Sequence, residues 1–368
     1  MRSMTRWART APLTAAVALA LAAVVAMPAA RRASASPAYA RHRLISPARC
    51  AANRAAGTLT FVSPFGYDAS AGIIDVFAAA HLGYFRDLCL KVAFVTSSYT
   101  PAELVSAGRG TITGEGSAAD ALAAIAGGAN LVGIATYGDA SDYALLTSPA
   151  ITNLRELEGR TVAYHGTMPV ILSEMLRKAG VDLAKLDEVD DNSYDPTLLA
   201  AGRFQALQAY RSNEPFVLRA KHLAFREWIP SEFGVKGTFN VEVANGTFLR
   251  AHPSAVADFL RAEFHAFSYC VRHPTACVAF EREAAAASGA VYDTQHALEV
   301  WRFESALALH STLPGSGVGV QSYAEWQPEA SALRRFGIVH SLPALRRVED
   351  VSLAASLYRG RTLRWPAP

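Results

Sequence analysis

The sequence predicts an α/β protein of two βαβ lobes, joined by two extended crossover segments. Strand-like and helix-like patterns alternate from Gly57 onward, which is typical of βαβ units. One extended run, at 145–149, leaves the first series, and another, at 239–243, returns toward it. The chain has 368 residues, 51% of them hydrophobic, so it is long enough to bury two medium-sized cores.

The first series begins with a strand and an apolar helix. Ile73, Ile74, Phe77 and Ala78 recur at the helical period, which predicts a helix over 70–82 that ends at Gly83. The other elements predicted here are strands at 58–62, 90–95, 110–113 and 131–137, a helix at 101–107, and a helix opened by 114–117 that runs to 126.

The second series starts near Leu154 and is followed by a helical C-terminal part. Its predicted elements are strands at 161–164, 189–191 and 204–210, and helices from 167 to 179 and at 196–201. The later helices are predicted at 254–271, 275–288, 294–308, 323–336 and 348–357. We therefore assign 57–147 and 243–352 to a discontinuous first lobe, 148–242 to a second lobe and 353–368 to a tail. Clefts between such lobes usually bind small molecules.

The N-terminus has the pattern of an export signal. Arg2, Arg6 and Arg9 precede an apolar stretch, and small residues follow it. We expect residues 1–35 to be removed, with cleavage as late as 40; retention of 11–30 as a membrane anchor is the alternative. Removal leaves 30 basic against 32 acidic residues. No basic stripe with interleaved aromatic residues remains, so nucleic-acid binding loses its main support, and we expect no nucleic-acid partner.

Four cysteines in an exported chain predict two disulfides. Cys270 and Cys277 flank a corner at His273-Pro274, where a local bond fits. Cys50 and Cys89 each precede a predicted strand, and both approach the same sheet edge if those strands are parallel neighbours.

The turns that follow strands supply the candidate site. Asn213-Glu214-Pro215 comes just after the run 204–210, where open α/β folds place ligand groups; a plain turn is the alternative. Phe65 and Asp68 follow the first strand. The ring of Phe65 can stack on a planar ligand, and Asp68 can cap the next helix. The alternative is that Phe65 only fills the core and Asp68 only caps the helix.

Two more turns offer polar groups. The segment 114–117 brings glycines and free N–H groups at a helix start, or is a plain glycine turn. His165 stands in the equivalent turn of the second lobe, as a ligand donor or simply as an exposed polar residue. Arg211 pairs with Glu214 or meets an anionic group. Asp68, Glu115 and Glu214 outnumber it, which disfavours sulfonate or nitrate and favours a neutral, donor-bearing aromatic ligand.

Motifs for catalysis and metal binding are not found. The sequence has no H-E-x-x-H, C-x-x-C or G-x-S-x-G pattern, and its ten histidines lack ligand spacing. We therefore expect no enzyme activity, no metal and no cofactor.

Several motifs together resemble a known family. They are Gly83-Tyr84-Phe85, the run 154–162 (LRELEGRTV), Asn213-Glu214-Pro215, the pairs His252-Pro253 and His273-Pro274, and the segment 320–338. In order and spacing these are similar to the NMT1/THI5-like solute-binding proteins of the thiamine-precursor type, which are related to sulfonate and nitrate binders. The resemblance covers roughly 57–352. Cys89 departs from it, because the family usually has Gly there, and this supports a special role such as a disulfide.

The resemblance implies a type 2 periplasmic-binding fold that delivers a small ligand to an ABC permease and its ATPase. The family's ligand-facing segments correspond here to 65–70, 114–117, 164–167 and 208–214. With the turns above, the predicted ligand-binding residues are Phe65, Tyr67, Asp68, Ser70, Glu115, Ser117, Tyr164, His165, Thr167, Tyr210, Asn213 and Glu214.

The resemblance leaves other roles open. We expect an exported, periplasmic or cell-surface monomer that binds an aminopyrimidine-like or other heteroaromatic ligand and meets the membrane through its permease or a retained anchor. One alternative is a sulfonate or nitrate binder of the same fold. Another is a THI5-like pyrimidine-synthesis enzyme, although the C-C-C-F-C motif of that branch is absent. A third is a sensing or scaffold protein at the membrane surface.

Overall fold

The computed structural model describes residues 44–96 and 101–366. The predicted export signal at 1–35, its late cleavage point and the alternative anchor at 11–30 lie outside these residues. Within the two described stretches, none of the helices combines the length and the apolar character that crossing a membrane requires.

The two predicted α/β lobes are confirmed, and each is built on a five-stranded mixed sheet. The first contains β1 (Thr58–Ser63), β2 (Lys91–Thr96), β3 (Ile112–Glu115), β4 (Leu131–Gly138) and β10 (Phe239–Asn245). The second contains β5 (Tyr143–Thr147), β6 (Thr161–Tyr164), β7 (Asp187–Asp190), β8 (Ala206–Tyr210) and β9 (Arg226–Trp228). A short hairpin, β11 (Tyr358–Arg359) and β12 (Thr362–Leu363), lies near the C-terminus.

The two sheets share one topology. Their strand orders are β2-β1-β3-β10-β4 and β7-β6-β8-β5-β9. In each, the first three strands are parallel and the fourth is antiparallel to both neighbours. The antiparallel strand is the one that arrives from the other lobe, so each crossover completes the sheet that it enters.

This exchange corrects the predicted lobe boundaries. Residues 143–147, assigned to the first lobe, form β5 and pair with β8 and β9 in the second sheet. Residues 239–242, assigned to the second lobe, belong to β10 in the first sheet. The chain therefore changes sheets at 139–142 and at 229–238, because each crossover strand belongs to the sheet it enters.

Helices cover both faces of each sheet. They are α1 (Pro47–Ala55), α2 (Ile74–His81), α3 (Tyr84–Asp87), α4 (Pro101–Ser106), α5 (Ala118–Ala126), α6 (Val170–Lys178), α7 (Thr197–Ala200), α8 (Glu214–Ala220), α9 (Gly246–Ala251), α10 (Pro253–Arg272), α11 (Pro274–Ala287), α12 (Thr294–Ser311), α13 (Tyr323–Arg335) and α14 (Val351–Ala355). Both α10 and α11 begin at the proline of a His-Pro pair, where the missing N–H costs nothing.

Apolar residues fill both faces of each sheet. In the first lobe, Phe61 and Trp301 belong to a core against α2, α10 and α12, while Val241 and Trp326 belong to a core against α5 and α13. Two smaller cores flank the second sheet. Packing in these cores fixes the positions of the strands in each sheet, including the ends that face the other lobe.

Both predicted disulfides are confirmed. Cys50 is bonded to Cys89, and Cys270 to Cys277. The strands that follow Cys50 and Cys89, β1 and β2, are parallel neighbours, as the pairing required. Cys89 has a φ of 59°, in the left-handed region that favours glycine.

The C-terminal segment packs on the first lobe. Arg261 donates to the carbonyl of Arg364 at 2.6 Å, and the Trp365 ring stacks on His265 at 4.1 Å. The segment assigned as a tail, 353–368, therefore contains the end of α14 and the β11–β12 hairpin, and side-chain contacts hold it as far as the last described residue, 366.

Candidate functional site

A cavity of about 270 Å³ lies between the lobes. The loops that follow β1, β3, β6 and β8 contribute to it, together with residues of both crossovers and of α12. Its lining residues are Pro64, Phe65, Asp68, Ser70, Ala71, Ile73, Glu115, Gly116, Asp120, Asp142, Tyr143, His165, Thr167, Pro169, Tyr194, Gln208, Tyr210, Ser212, Asn213, Glu214, Phe239, Asn240 and Glu304. The carboxyl ends of parallel strands meet at this edge of each sheet, which is the usual place for a ligand in such folds.

Nine of the twelve predicted site residues line this cavity. They are Phe65, Asp68, Ser70, Glu115, His165, Thr167, Tyr210, Asn213 and Glu214. The other three lie elsewhere. Tyr67 packs on Phe77 at 5.3 Å, Ser117 is buried as the N-cap of α5, and Tyr164 ends strand β6 outside the lining.

The start of α5 does not offer the free N–H groups that the sequence predicted. The N–H of Ala118 donates to Thr238 Oγ1 at 2.7 Å, and that of Ala119 donates to Glu329 Oε2 at 2.6 Å. The N–H of Asp120 donates to Ser117 Oγ at 3.3 Å. Because the protein itself satisfies these donors, this helix start is not an anion cradle.

A hydrogen-bonded chain joins the lobes at the cavity. Tyr143 donates to Asp120 Oδ2 at 3.2 Å, and Ser117 Oγ donates to the same oxygen at 2.8 Å. The hydroxyls of Tyr143 and Tyr210 are 3.1 Å apart. Since the Tyr143 proton points to Asp120, Tyr210 donates to Tyr143.

Aromatic rings line the cavity from both lobes. Tyr210 stacks on Tyr143 at 4.9 Å and meets the edge of Phe65 at 5.8 Å. Tyr194 stacks on His165 at 4.2 Å. Phe65 is 48% exposed and Tyr194 56%, so each keeps surface available to a planar ligand.

Asn213 and Glu214 are held by hydrogen bonds within their own lobe and to α12. Asn213 occupies the N-cap position of α8 without a side-chain cap bond, and its Oδ1 accepts from His296 Nε2 at 2.8 Å, which links the second lobe to the first. Glu214 accepts from the backbone N–H of Tyr210 at 2.7 Å and from Asn213 Nδ2 at 3.3 Å. The Asn-Glu-Pro segment is therefore the start of a helix that places a carboxyl group in the cavity, rather than a plain turn.

Two of the expected roles are wrong. Asp68 does not cap α2, which begins at Ile74 with no side-chain cap, because four further loop residues separate Asp68 from the cap position. Arg211 does not pair with Glu214. Its guanidinium lies over Phe303 at 5.1 Å, and its Nε is 3.6 Å from Glu227 Oε1, outside the cavity lining.

Six carboxyl residues line the cavity: Asp68, Glu115, Asp120, Asp142, Glu214 and Glu304. Among the described residues of the lining there is no Lys or Arg. Burial is the main cause that raises their pKa values, to about 6 for Asp68, about 7 for Asp142 and Glu214, and about 8 for Glu115, where the charge of Asp120 adds to the effect. Burial also raises the pKa of Asp120, and that of Glu304 well above its usual range.

His165 adds a further acceptor. Its Nδ1 is 2.8 Å from the carbonyl oxygen of Asp191, and a carbonyl can only accept, so Nδ1 carries the proton. In the neutral ring, Nε2 is then an acceptor; this atom is buried and has no partner in the described structure. The lining is thus rich in acceptors and suited to a ligand that donates hydrogen bonds.

Three carboxyl groups of the lining were missed from the sequence. Asp142 lies on the first crossover, in the polar stretch between two apolar strands. Glu304 occupies the buried side of α12 together with Val300, Trp301 and Ala308, and a glutamate in such an apolar row is a usable signal. Asp120 follows the predicted helix start and carries no signal of its own.

No metal site accompanies these groups. Within the described part of the chain, no group of three or more His, Cys, Asp or Glu side chains is arranged to hold a metal ion.

Comparison with known proteins supplies a family and a fold. A family model described as NMT1/THI5 like matches residues 70–277. A search of curated protein sequences finds no match.

Solved structures with the periplasmic-binding-protein fold resemble the chain at low sequence identity. The ligand-binding component of an ABC-type import system from Staphylococcus aureus is 13% identical with a TM-score of 0.60, over 81% of this chain and 97% of that one. The periplasmic aliphatic sulphonate binding protein of Escherichia coli is 15% identical with a TM-score of 0.58, over 84% and 96%. The desulfurization enzyme DszB is 13% identical with a TM-score of 0.55, over 81% and 98%.

Proposed function

The chain belongs to the NMT1/THI5-like family, and we propose that it is the extracytoplasmic solute-binding component of an ABC importer. A cavity between two lobes of equal topology supports this role, because closure over a solute is the motion such an architecture allows. The similarity in fold to a ligand-binding component of an import system is consistent with it. Its partners would be a permease and an ATPase.

Two disulfides support an oxidising compartment, and the N-terminal sequence pattern supports export. Cytosolic proteins rarely keep such bonds. We therefore infer that the protein works outside the cytoplasm.

The proposal for the ligand rests on the acidic and aromatic residues that line the cavity. Six buried or partly buried carboxyl groups, an unpartnered imidazole nitrogen and five aromatic rings suit a small planar solute with several N–H donors, such as an aminopyrimidine or a related heteroaromatic compound. A sulfonate or nitrate would meet these carboxyl groups with no Lys or Arg among the described lining residues. The N–H groups at the start of α5 also weigh against an anion, because they already donate to side chains of the protein.

Calorimetry on the purified protein tests this proposal. The titrants are aminopyrimidines, flavins, an alkanesulfonate and nitrate, after unfolding and refolding to remove retained solute. We expect binding of a planar, donor-bearing compound and none of the anions. Binding of an anion together with failure of every heterocycle would overturn the ligand class.

An enzyme is the second candidate, and one observation favours it. Several carboxyl groups in the cavity have pKa values raised to about 6–8, which is frequent in acid–base catalysis. The desulfurization enzyme DszB, with a similar fold, shows that the architecture can carry catalysis. Conversion of a bound heterocycle to product by the isolated protein would support this candidate; recovery of the unchanged compound would support binding alone.

A further inference from the structure

Four carboxyl groups meet in the cavity, and each comes from a different segment of the chain. Asp68 lies in the loop after β1, Asp142 on the first crossover, Glu214 at the start of α8 and Glu304 on α12. The carboxyl of Asp68 interacts electrostatically with those of Glu214 and Glu304, and that of Asp142 interacts with the same two. The four groups therefore form one cluster that both lobes share.

The protein satisfies this cluster incompletely. Glu304 accepts from Ser70 Oγ at 3.0 Å and from the N–H of Ala71 at 2.8 Å, so both its oxygens have donors. Asp142 accepts from Ser212 Oγ at 2.7 Å through Oδ2 only. Its Oδ1 is buried without a partner in the described structure, and the residue is only 3% exposed. A buried acceptor of this kind is costly unless a donor reaches it.

Two basic side chains that influence the cluster, Arg211 and His296, lie outside the cavity lining. Arg211 lowers the pKa of Asp142 and His296 lowers the pKa of Asp68, and both partly oppose the increase that burial causes. Both are engaged elsewhere, Arg211 with Phe303 and Glu227, and His296 with Asn213. Neither lines the cavity. Within the cavity, the negative charge of the cluster is therefore compensated either by protonation of the carboxyl groups, whose pKa values are raised, or by a cation that enters.

We propose, resting on the proposed function, that the solute carries an ammonium or amidinium group and that this group binds in the Asp68–Asp142–Glu214–Glu304 cluster, next to Asp142 Oδ1. An ammonium has three donors and no acceptor, which matches a site made of carboxyl oxygens. Charge-assisted bonds of this type are about twice as strong as neutral ones. The planar part of the solute lies against Tyr210 and Phe65, which meet edge to face at 5.8 Å.

A matched pair of probes tests the proposal on the refolded protein. One is 4-amino-5-aminomethylpyrimidine, which is an ammonium at neutral pH, and the other is the 5-hydroxymethyl compound, which has the same ring without that charge. Butylammonium, which has no ring, and calcium and zinc ions are titrated separately. We expect the ammonium pyrimidine to bind at least about tenfold more tightly than the hydroxymethyl one, in line with the strength of charge-assisted bonds.

Two variants locate the effect. In Asp142→Asn the acceptor for Ser212 is kept and the charge is lost, and we expect the preference for the ammonium probe to fall to about twofold or less. Asp139→Asn is the control: it makes the same change on the same crossover at an exposed residue outside the lining. Its preference should equal that of the unchanged protein.

The outcomes separate this inference from the proposed function. Equal binding of the two pyrimidines, or an equal loss for both in Asp142→Asn, overturns the cation site and leaves the planar ligand class standing. Binding of butylammonium without either pyrimidine supports the cation site and overturns the planar class. If calcium or zinc binds and then prevents binding of the ammonium pyrimidine, the cluster is a metal site and the inference is overturned. Failure of all probes overturns both.

Discussion

Glu214 brings its carboxyl group into the cavity while accepting from the N–H of Tyr210 at 2.7 Å. Glu214→Gln retains one acceptor oxygen for that bond and removes the negative charge. We expect the affinity for a donor-bearing heterocycle to fall about tenfold or more, because hydrogen bonds to a charged group are among the stronger ones. Isothermal calorimetry measures the change.

The matched control for that substitution is Glu232→Gln. Glu232 is exposed in the same lobe and does not line the cavity. Affinity should be the same in this variant as in the unchanged protein. If Glu214→Gln also binds normally, Glu214 holds the loop and does not contact the solute.

Tyr210 combines two roles that substitution can separate. Its ring meets Phe65 and Tyr143, and its hydroxyl bonds to that of Tyr143. Tyr210→Phe keeps the ring, so we expect affinity within about threefold of normal, whereas Tyr210→Leu should weaken a planar solute by about three- to tenfold. Equal losses in both variants would indicate that the hydroxyl, and not the ring, contributes to binding.

The sequence placed residues at the cavity where position along a strand determines the place in the fold. Phe65, His165 and Glu214 each follow a predicted parallel strand, and such positions meet at one edge of the sheet. Glu304 was missed because it reaches the cavity from a helix far along the chain. Only tertiary packing brings it there, and no local pattern encodes that arrangement.

Element-scale prediction was accurate for one short strand and for the two helices that begin at His-Pro pairs. β6 was predicted with its observed bounds, and α10 and α11 were predicted to within one residue at each end. No helix is predicted at α8, because Asn213-Glu214-Pro215 is interpreted only as a ligand-facing segment or a plain turn after a strand. Proline at the first turn of a helix is equally favourable, which made the signal ambiguous.

The two disulfides close loops of different length, and this predicts unequal contributions to stability. Residues 50 and 89 are 39 apart, and residues 270 and 277 are 7 apart. Chain-entropy arguments give a loss of about 4 kcal/mol for removing the first and about 2.4 kcal/mol for the second. Denaturant unfolding of Cys50→Ala/Cys89→Gly and of Cys270→Ala/Cys277→Ala compares them. Glycine at position 89 suits its left-handed φ. An equal or reversed order would contradict the loop-length explanation.

The core of the first lobe contains buried acidic residues in addition to the carboxyl groups of the cavity. Asp75, Glu242 and Glu263 are fully buried beside Tyr137, whose hydroxyl is 2.6 Å from Asp75 Oδ2 and 2.8 Å from Glu263 Oε1. The hydroxyl donates one proton only, so one of the two carboxyls has to be protonated to bond it. Burial raises the pKa of Asp75 to about 7 and that of Glu242 to about 8.

These shifts predict that stability falls as the pH rises. The folded state holds protons that the unfolded chain releases near pH 4, so the free energy of unfolding decreases between about pH 5 and 9. Each proton held only in the folded state contributes about 1.4 kcal/mol per pH unit. Denaturant unfolding at several pH values measures this slope.

Glu242→Gln provides the comparison for the pH effect. The amide has nearly the same shape and does not titrate, so the variant should show a shallower decrease in stability with pH. A free energy of unfolding that is constant or rises from pH 5 to 9 in the unchanged protein would show that these acids are ionised in the folded state.

At the scale of the whole molecule, the two-lobed α/β architecture followed from alternating patterns and two extended crossovers. The strand exchange did not, because the sheet to which a crossover strand belongs is decided by long-range pairing and not by its own residues. The same exchange places Asp142 and Asn240 at the cavity, so the missed boundary and the missed site residue have one cause.

Native mass spectrometry of the protein purified from its own host tests the proposed role most directly. We expect a retained small molecule, released on unfolding, that is planar and carries several N–H donors or a basic nitrogen. A retained sulfonate, nitrate or other anion would contradict the proposed ligand class.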